Sequence, residues 1–374
     1  MTSRDLTDNV EQMQIRKASK IIFGKYISIL KHLIDKAQRY DSIILVAKTH
    51  HQPAQLILLG KRFAMWVEEL YEHLVDFESF IENYPLRGMK GPVGAQSDML
   101  TLLGSKEKVS ELEHRISKYL RFQEVLDATG QVYPRSLDFK IVSHLAALSA
   151  ACENFAKGMR LMSGCELVTE GSKEGQVGSS VMPHKMNTRN SERICGLCSL
   201  LKMHADGISR LSGDQWEEGD VSDSVVRRVI VPDVFYTSDG ICETTLTVLN
   251  EMDIYPVMIN AEVDRYLPFI ATAELLDTAV KKGMGREKAH QLIMKYAIEE
   301  ELKMRNGSPK NNLAKMLSKE SKFPLNESEI EAILEGRKNF VGNSKEQIYS
   351  VAKKVEGLLA KYPTEASYEP KPIL

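Results

Sequence analysis

The chain has 374 residues, 43% hydrophobic and 27% charged, with 49 Lys and Arg against 51 Asp and Glu for a net charge of −2. Ample apolar content at low net charge is the composition of a globular protein and excludes wholesale disorder. The near-balance of charge argues against a general nucleic-acid or polybasic membrane surface, and no stretch approaches the roughly 20 apolar residues of a membrane span. The opening, Met1 to Val10, is polar and carries acids, unlike a secretory signal. Five cysteines fit no disulfide framework and read as reduced thiols of a cytoplasmic protein. Cys195-Gly-Leu-Cys198 has zinc or redox spacing, but no second such pair or nearby histidine pair completes a metal site.

Gly 23, Pro 13 and only 7% aromatics, beside 16 methionines, favour helix over strand. From about Leu6 to Asp41, Ile22, Tyr26, Ile29, Leu33 and Ala37 form one helical stripe, with Thr2 or Ser3 as candidate caps. A second helix is expected over about Gln55–Asn83, where Leu56, Leu59, Phe63, Trp66, Leu70 and Leu74 recur at three or four. Glycines and prolines between Tyr84 and Ala95 mark a loop. Helical patterns resume at Lys106–Leu126 and Leu137–Leu161. They lapse over the glycine-containing Gly164–Thr188 and return at Arg189–Leu211 and Ser224–Met252. Tyr255-Pro256 marks a boundary, shorter helices follow, and the proline-bearing tail Tyr362–Leu374 looks frayed. No segment sustains period-two alternation. The expected fold is all-α, with the unusual residues carried on polar loops.

The most informative loop is Gly178-Ser179-Ser180-Val181-Met182-Pro183-His184-Lys185-Met186-Asn187. Gly178 admits close backbone approach, Lys185 offers a point charge to an oxyanion, and a serine in that field ionises more readily and can act as a base. A Ser/Gly loop with a solvated lysine is the other reading. In Lys48-Thr49-His50-His51-Gln52-Pro53-Ala54-Gln55, a histidine in a turn just before a helix suits acid–base work, though a surface histidine pair explains the residues too. Hydroxyls at Thr2 and Ser3 suit anions or simple capping.

Gly-Ser-Ser-x-Met-Pro-x-Lys-x-Asn resembles the signature of the fumarase/aspartase superfamily, whose members release fumarate from succinyl-type substrates. The resemblance implies that Ser179 is the base and that Lys185 and Asn187 meet substrate carboxylates. Thr-His-x-Gln-x-Ala resembles the superfamily's second region, which implies that Thr49 contacts substrate and His50 is the general acid. Thr2-Ser3 resembles its first region, which meets the succinyl or phosphate part of the substrate. Ser191-Glu192-Arg193, Thr129-Gly130-Gln131, Gln215-Trp216-Glu217-Glu218 and Asp223-Ser224-Val225-Val226-Arg227-Arg228 resemble the adenylosuccinate lyase family within it. There Gln131, Arg193, Ser224 and Arg228 would bind a nucleotide substrate, and guanidinium forks suit carboxylate and phosphate.

The resemblance further implies a long helical bundle over about 1–254, with a remnant of an N-terminal domain at its start, and a smaller helical C-terminal domain over 255–374. It implies a cytoplasmic homotetramer with sites shared between subunits, and chemistry that needs no metal or organic cofactor, no nucleic acid and no membrane. Three departures stand out. Relatives carry a segment before the Thr-Ser region that supplies another histidine and phosphate contacts, so this chain looks truncated and is expected to turn over little. Gly219 stands where many relatives have a phosphate-binding arginine, with Arg227 or another subunit as candidate replacement. Thr188 follows Asn187 where proline is usual. An argininosuccinate-type lyase and an inactive truncated paralogue that acts only in assembly are the alternatives.

Overall fold

The computed structural model describes residues 2–171, 182 and 184–371. In chain order the elements are α1 (Ser3–Arg39), the hairpin β1 (Ile44–Thr49) and β2 (Gln52–Leu58), α2 (Leu59–Glu82), α3 (Ser97–Leu103), α4 (Lys106–Tyr119), α5 (Ser136–Gly164), β3 (Val168–Thr169), α6 (Arg189–Ser209), α7 (Ser222–Glu251) and β4 (Asp253–Ile254). They continue as α8 (Pro256–Ile270), α9 (Thr272–Lys281), α10 (Arg286–Arg305), α11 (Leu313–Ser318), α12 (Glu327–Glu335), a short 3-10 turn (Arg337–Val341), α13 (Ser344–Lys361) and α14 (Pro363–Ala366). The architecture is the expected helical bundle, built on the five long helices α1, α2, α5, α6 and α7.

The stripe read along α1 is the buried one: Tyr26, Ile29, Leu33 and Ala37 are all inaccessible to solvent. Thr2 caps the helix in extended conformation, its N–H donating to the Asp5 carboxylate at 2.8 Å, and Lys36 and Arg39 sit in the last turn where the helix dipole favours cations. On α2, Phe63, Val67, Leu70, Leu74 and Phe77 face the same core, each side chain contributing about 1.5–3 kcal/mol by burial. At the junction of these helices a side chain on Gly60 would meet the carbonyl oxygen of Ala37 at 2.1 Å, so only glycine lets α2 leave so close beneath the end of α1.

The contacts fix the direction of each helix. α1, α5 and α7 begin together: Tyr133 N–H donates to Asp8, Arg135 pairs with Asp223, and Arg227 pairs with Asp138 at 2.6 Å and Glu11 at 2.9 Å. They end together at the far side, where β3, just after α5, pairs antiparallel with β4, just after α7. The β1–β2 hairpin hangs from that same far end, through Leu59 N–H to Ile43 O at 2.8 Å and Gly60 N–H to Tyr40 O at 2.9 Å.

The main core draws on the five long helices and on Ile348, Val355 and Leu358 of α13. A second core joins Leu275, Ala279, Ile293, Leu317, Phe323 and Ile330 from α9 to α12. A third, small one seats Val46 and Leu56 of the hairpin on Val263 and Leu267 of α8.

Three local expectations are corrected. Residues 44–58 form a hairpin, and the second helix starts at Leu59 rather than Gln55, because Leu56, Ile57 and Leu58 continue a strand paired with Ile44–Val46. α4 stops at Tyr119 rather than near Leu126, since Arg121 takes a left-handed backbone (φ 59°) that no helix continues through. The tail is not frayed through Lys371. Tyr362 stacks edge-on with Phe23 at 5.1 Å, Ser28 Oγ donates to Tyr368 O at 2.7 Å, and Lys371 N–H donates to Glu243 at 2.9 Å.

Candidate active site

His50 lies in a turn, as expected, but the turn closes the β1–β2 hairpin. With Thr49 paired to Gln52, only His50 and His51 remain at the tip, both left-handed at φ 52° and 60°. A two-residue hairpin needs positive φ at both centres, and glycine or asparagine usually supplies it. Two histidines there store about 1–2 kcal/mol each. The register slips between Ala47 and Lys48, a bulge of the kind that re-aims side chains next to sites. His50, His51 and Thr49 are exposed. Both histidines line a cleft of about 630 Å³ together with Lys48, Arg62, Lys157 and Glu262.

The cleft mixes charges, with Lys48, Arg62 and Lys157 beside Glu69 and Glu262. Lys48 Nζ donates to Glu262 Oε1 at 2.5 Å and lies 3.5 Å from Cys165 Sγ. Burial works against the Lys48 ammonium, but Glu262 outweighs it and carries its pKa above the usual lysine range. Burial holds the Arg62 guanidinium below its ordinary value, partly offset by Glu262.

The segment with Lys185 and Asn187 enters α6 at this same end of the bundle. Lys185 and Arg193 are exposed, and Asn187 is half-buried. Thr188, the cap residue of α6, makes no capping bond with its own side chain. Glu170, only 7% exposed, does so from across β3, accepting from Asn190 N–H at 3.0 Å and Ser191 N–H at 2.6 Å. A carboxylate on a helix N-terminus satisfies orphan donors and complements the dipole. Glu170 thereby anchors the helix that carries Arg193. Ser179 falls outside the described residues.

Thr2, Ser3, Gln131, Ser224 and Arg228 gather at the opposite end. Arg87, with no solvent exposure, ties three of the segments there. Its guanidinium donates to Asp5 at 2.8 Å, to the carbonyls of Gly88 and Gly91 at 3.3 and 3.1 Å, and to that of Gly130 at 3.2 Å. Asp5 also accepts from Lys90 N–H and Gly91 N–H. Burial alone would raise the Asp5 pKa; the Thr2, Arg87 and Gly91 donors outweigh it and hold the carboxyl below its ordinary value. Gly94 (φ 83°) brings the glycine loop against Thr129, where a Cβ would lie 1.8 Å from the carbonyl oxygen. The next turn is fastened in turn by Gln131 N–H to Glu218 O at 2.6 Å.

Ser224 is half-buried in the first turn of α7, and Arg228, one turn on, is exposed beside a groove of about 450 Å³. Arg227 is the buried member of the pair. Its guanidinium is engaged by Asp138, Glu11 and the Tyr133 hydroxyl, so it is not free to replace an arginine at 219. Gly219 itself (φ 150°) sits in backbone that favours glycine, and a Cβ there would be 3.2 Å from that of Gln131.

The candidate residues therefore fall into two sets. His50, Thr49, Lys185, Asn187 and Arg193 lie where α5 ends, and Thr2, Ser3, Gln131, Ser224 and Arg228 where it begins. α5 has 29 residues, so at 1.5 Å per residue the sets stand about 40 Å apart. Sequence reading missed Arg87, Glu170 and Glu262. A Gly/Pro-rich loop flagged Arg87's neighbourhood, but nothing local marks the other two, whose partners lie some 20 and over 200 positions away.

A family model described as Lyase matches residues 1–201, and one described as Adenylosuccinate lyase C-terminus matches residues 268–351. Adenylosuccinate lyase of Saccharomyces cerevisiae is 32% identical over 355 residues, covering 94% of this chain and 73% of the yeast protein. The Schizosaccharomyces pombe adenylosuccinate lyase is 30% identical over 370 residues, 98% and 77% of the two chains. Among solved structures, β-carboxy-cis,cis-muconate cycloisomerase from Acinetobacter calcoaceticus shares the fold at TM-score 0.78 and 20% identity, over 94% of this chain and 76% of its own. Fumarate lyase from Mesorhizobium does so at TM-score 0.74 and 19% identity, over 94% and 77%. With a relative above 30% identity aligned over nearly the whole chain, and with the helical bundle these structures share, the chain belongs to the adenylosuccinate lyase family.

Proposed function

We propose that the protein eliminates fumarate from adenylosuccinate, leaving AMP, and from the succinylated imidazole-carboxamide ribotide of purine synthesis. Ser179 takes the proton from the carbon beside a succinyl carboxylate. The electron pair left behind spreads into that carboxylate, where Lys185 and the Asn187 amide stabilise it. The C–N bond then breaks, the pair closes the double bond of fumarate, and His50 as imidazolium delivers a proton to the departing nitrogen. Thr2, Ser3, Thr49, Gln131, Arg193, Ser224 and Arg228 hold the substrate, the arginines by guanidinium forks on carboxylate and phosphate. No step calls on a metal or an organic cofactor.

One observation carries the assembly that this chemistry requires: the acid and the nucleotide-binding set lie at opposite ends of one bundle. A single substrate reaches both only if different subunits supply them, which is the reason to propose a homotetramer with shared sites. The long helices offer apolar surface for it, with Ile21 on α1 and Val225, Val229 and Tyr236 on α7 exposed by 54–75%. No helix among the described residues is long and apolar enough to cross a membrane, and we place the enzyme in the cytoplasm. We also divide the chain near Tyr255, into a bundle over about 1–254 and a C-terminal domain over 255–374 that holds the second core of α9–α12.

Subunit mixing tests this. His50→Gln and Arg228→Ala homomers should each be nearly inactive. Hybrids reassembled from the two should recover fumarate release, because some sites then draw both intact residues from different chains. Failure of hybrids to regain activity would sink the shared site. Release of fumarate from argininosuccinate but not adenylosuccinate would sink the substrate.

A further inference from the structure

We propose that Glu262 on α8, acting through Lys48, is a positioning residue for the His50 turn, with Arg305 on α10 as a second, weaker grip. The inference rests on His50 serving as the general acid.

The turn needs holding. His50 and His51 are both exposed and both left-handed, so neither side-chain burial nor glycine stabilises their backbone. Strained conformations of this kind persist only where surrounding structure over-determines them. Two contacts straddle the turn, one on each strand. At position 48, Lys48 Nζ meets Glu262 Oε1 at 2.5 Å. Both side chains are mostly withdrawn from solvent, at 28% and 13% exposure, which separates the pair from ordinary surface bridges. At position 52, Arg305 Nη2 donates to Gln52 Oε1 at 3.4 Å, while its Nε is held by Glu301 at 2.7 Å. Below the grips, Val46 and Leu56 rest on Val263 and Leu267. Val263 follows Glu262 directly, so one turn of α8 supplies both the apolar seat and the charge.

The bundle offers Lys48 a weaker contact, Cys165 Sγ at 3.5 Å. The hairpin's far strand, toward the turn, is met by α10. Because Lys48 and Gln52 lie within two residues of His50, a change at either grip moves the imidazole directly. Displacements of about 1 Å in a reacting group cost on the order of 10² in rate. A purely structural pair would lower stability and leave turnover per folded enzyme unchanged.

The test compares Glu262→Gln, Glu262→Asp and Lys48→Met with the unchanged chain and with His50→Gln. Steady-state kinetics would follow fumarate release from adenylosuccinate. NMR would follow the imidazole resonance of His50, assigned by its absence in His50→Gln. Expected for Glu262→Gln is a fall in kcat of about 10–100-fold with KM within about threefold, and a shifted or broadened His50 resonance. Glu262→Asp, which keeps the charge, should recover part of both. Arg305→Gln should show a smaller change in the same direction. If Glu262→Gln fails to fold, Lys48→Met removes the same pair from the other strand and the same outcomes apply. Should His50→Gln abolish turnover while Glu262→Gln and Lys48→Met keep both kcat and the His50 resonance, the positioning role is overturned. Should His50→Gln itself turn over normally, the acid assignment has failed. The NMR comparison then still decides whether Glu262 orders the turn.

Discussion

Replacing Arg87 with methionine should be among the most damaging single changes available outside the catalytic groups. Arg87 is fully buried, and its guanidinium satisfies Asp5 and three backbone carbonyls. Methionine approximates the volume but leaves Asp5, 4% exposed, with its charge and, among the described residues, the N–H groups of Thr2, Lys90 and Gly91. Breaking one side of a buried pair typically costs about 3–5 kcal/mol. Three remaining N–H donors to Asp5 place the expected loss toward the lower end, about 3 kcal/mol. Asp5→Asn/Arg87→Met, which removes both charges, should be less destabilised than Arg87→Met alone. Urea denaturation at fixed protomer concentration would supply all corners of the cycle. Functionally, the glycine loop and Gly130 lose their common tie, so KM should rise more than kcat falls. An Arg87→Met loss below about 1 kcal/mol, or a double variant worse than the single, would refute the claim that this ion pair organises the end of the bundle where α1 and α5 begin.

Ser179→Ala and His50→Gln should each lower kcat by about 10²–10⁴ with helical circular dichroism unchanged, and turnover within about tenfold of the parent would contradict the acid–base pair. Val229→Asp, on the exposed α7 face, should dissociate the assembly by light scattering and abolish fumarate release together; an inactive tetramer or an active monomer would separate assembly from the site. The Asp5 carboxyl titrates lower folded than unfolded, so its contribution is complete above about pH 4 and is lost as pH falls through the depressed value; Asp5→Asn should flatten the acid limb of stability against pH. Lys48 has the opposite sign: its pKa is raised on folding, so its contribution is complete below about pH 10 and fades as pH rises through the raised value, a fade that Lys48→Met should remove.

The groups that carry the proposed chemistry were legible along the chain because they lie in short, local runs. Gly178 to Asn187 gathers hydroxyls, a lysine and an amide in one short run, and Thr49-His50 puts the proposed acid in a second small motif. The long first helix was equally readable, since the 3.6-residue period of Ile22, Tyr26, Ile29 and Leu33 needs no partner to be seen. The hairpin that carries His50 was not. Ile44–Val46 and Leu56–Leu58 are short apolar runs that suit either helix or strand, and only their pairing with each other decides.

Tertiary structure alone decided the rest, because the deciding partners are distant in sequence. Asp5 meets Arg87, Lys48 meets Glu262, and Glu170 caps α6 from some 20 positions away. It also decided that Arg227 is spent in a buried network while Arg228 faces outward, a difference invisible in two adjacent arginines until the turn of α7 orients them. The separation of His50 from Gln131, Ser224 and Arg228 follows from the rise of α5, a rigid helix that a motif cannot bend. The sequence determined which groups the chain possesses, and the length of its helices determined that one copy holds them in two sets, one at each end of α5.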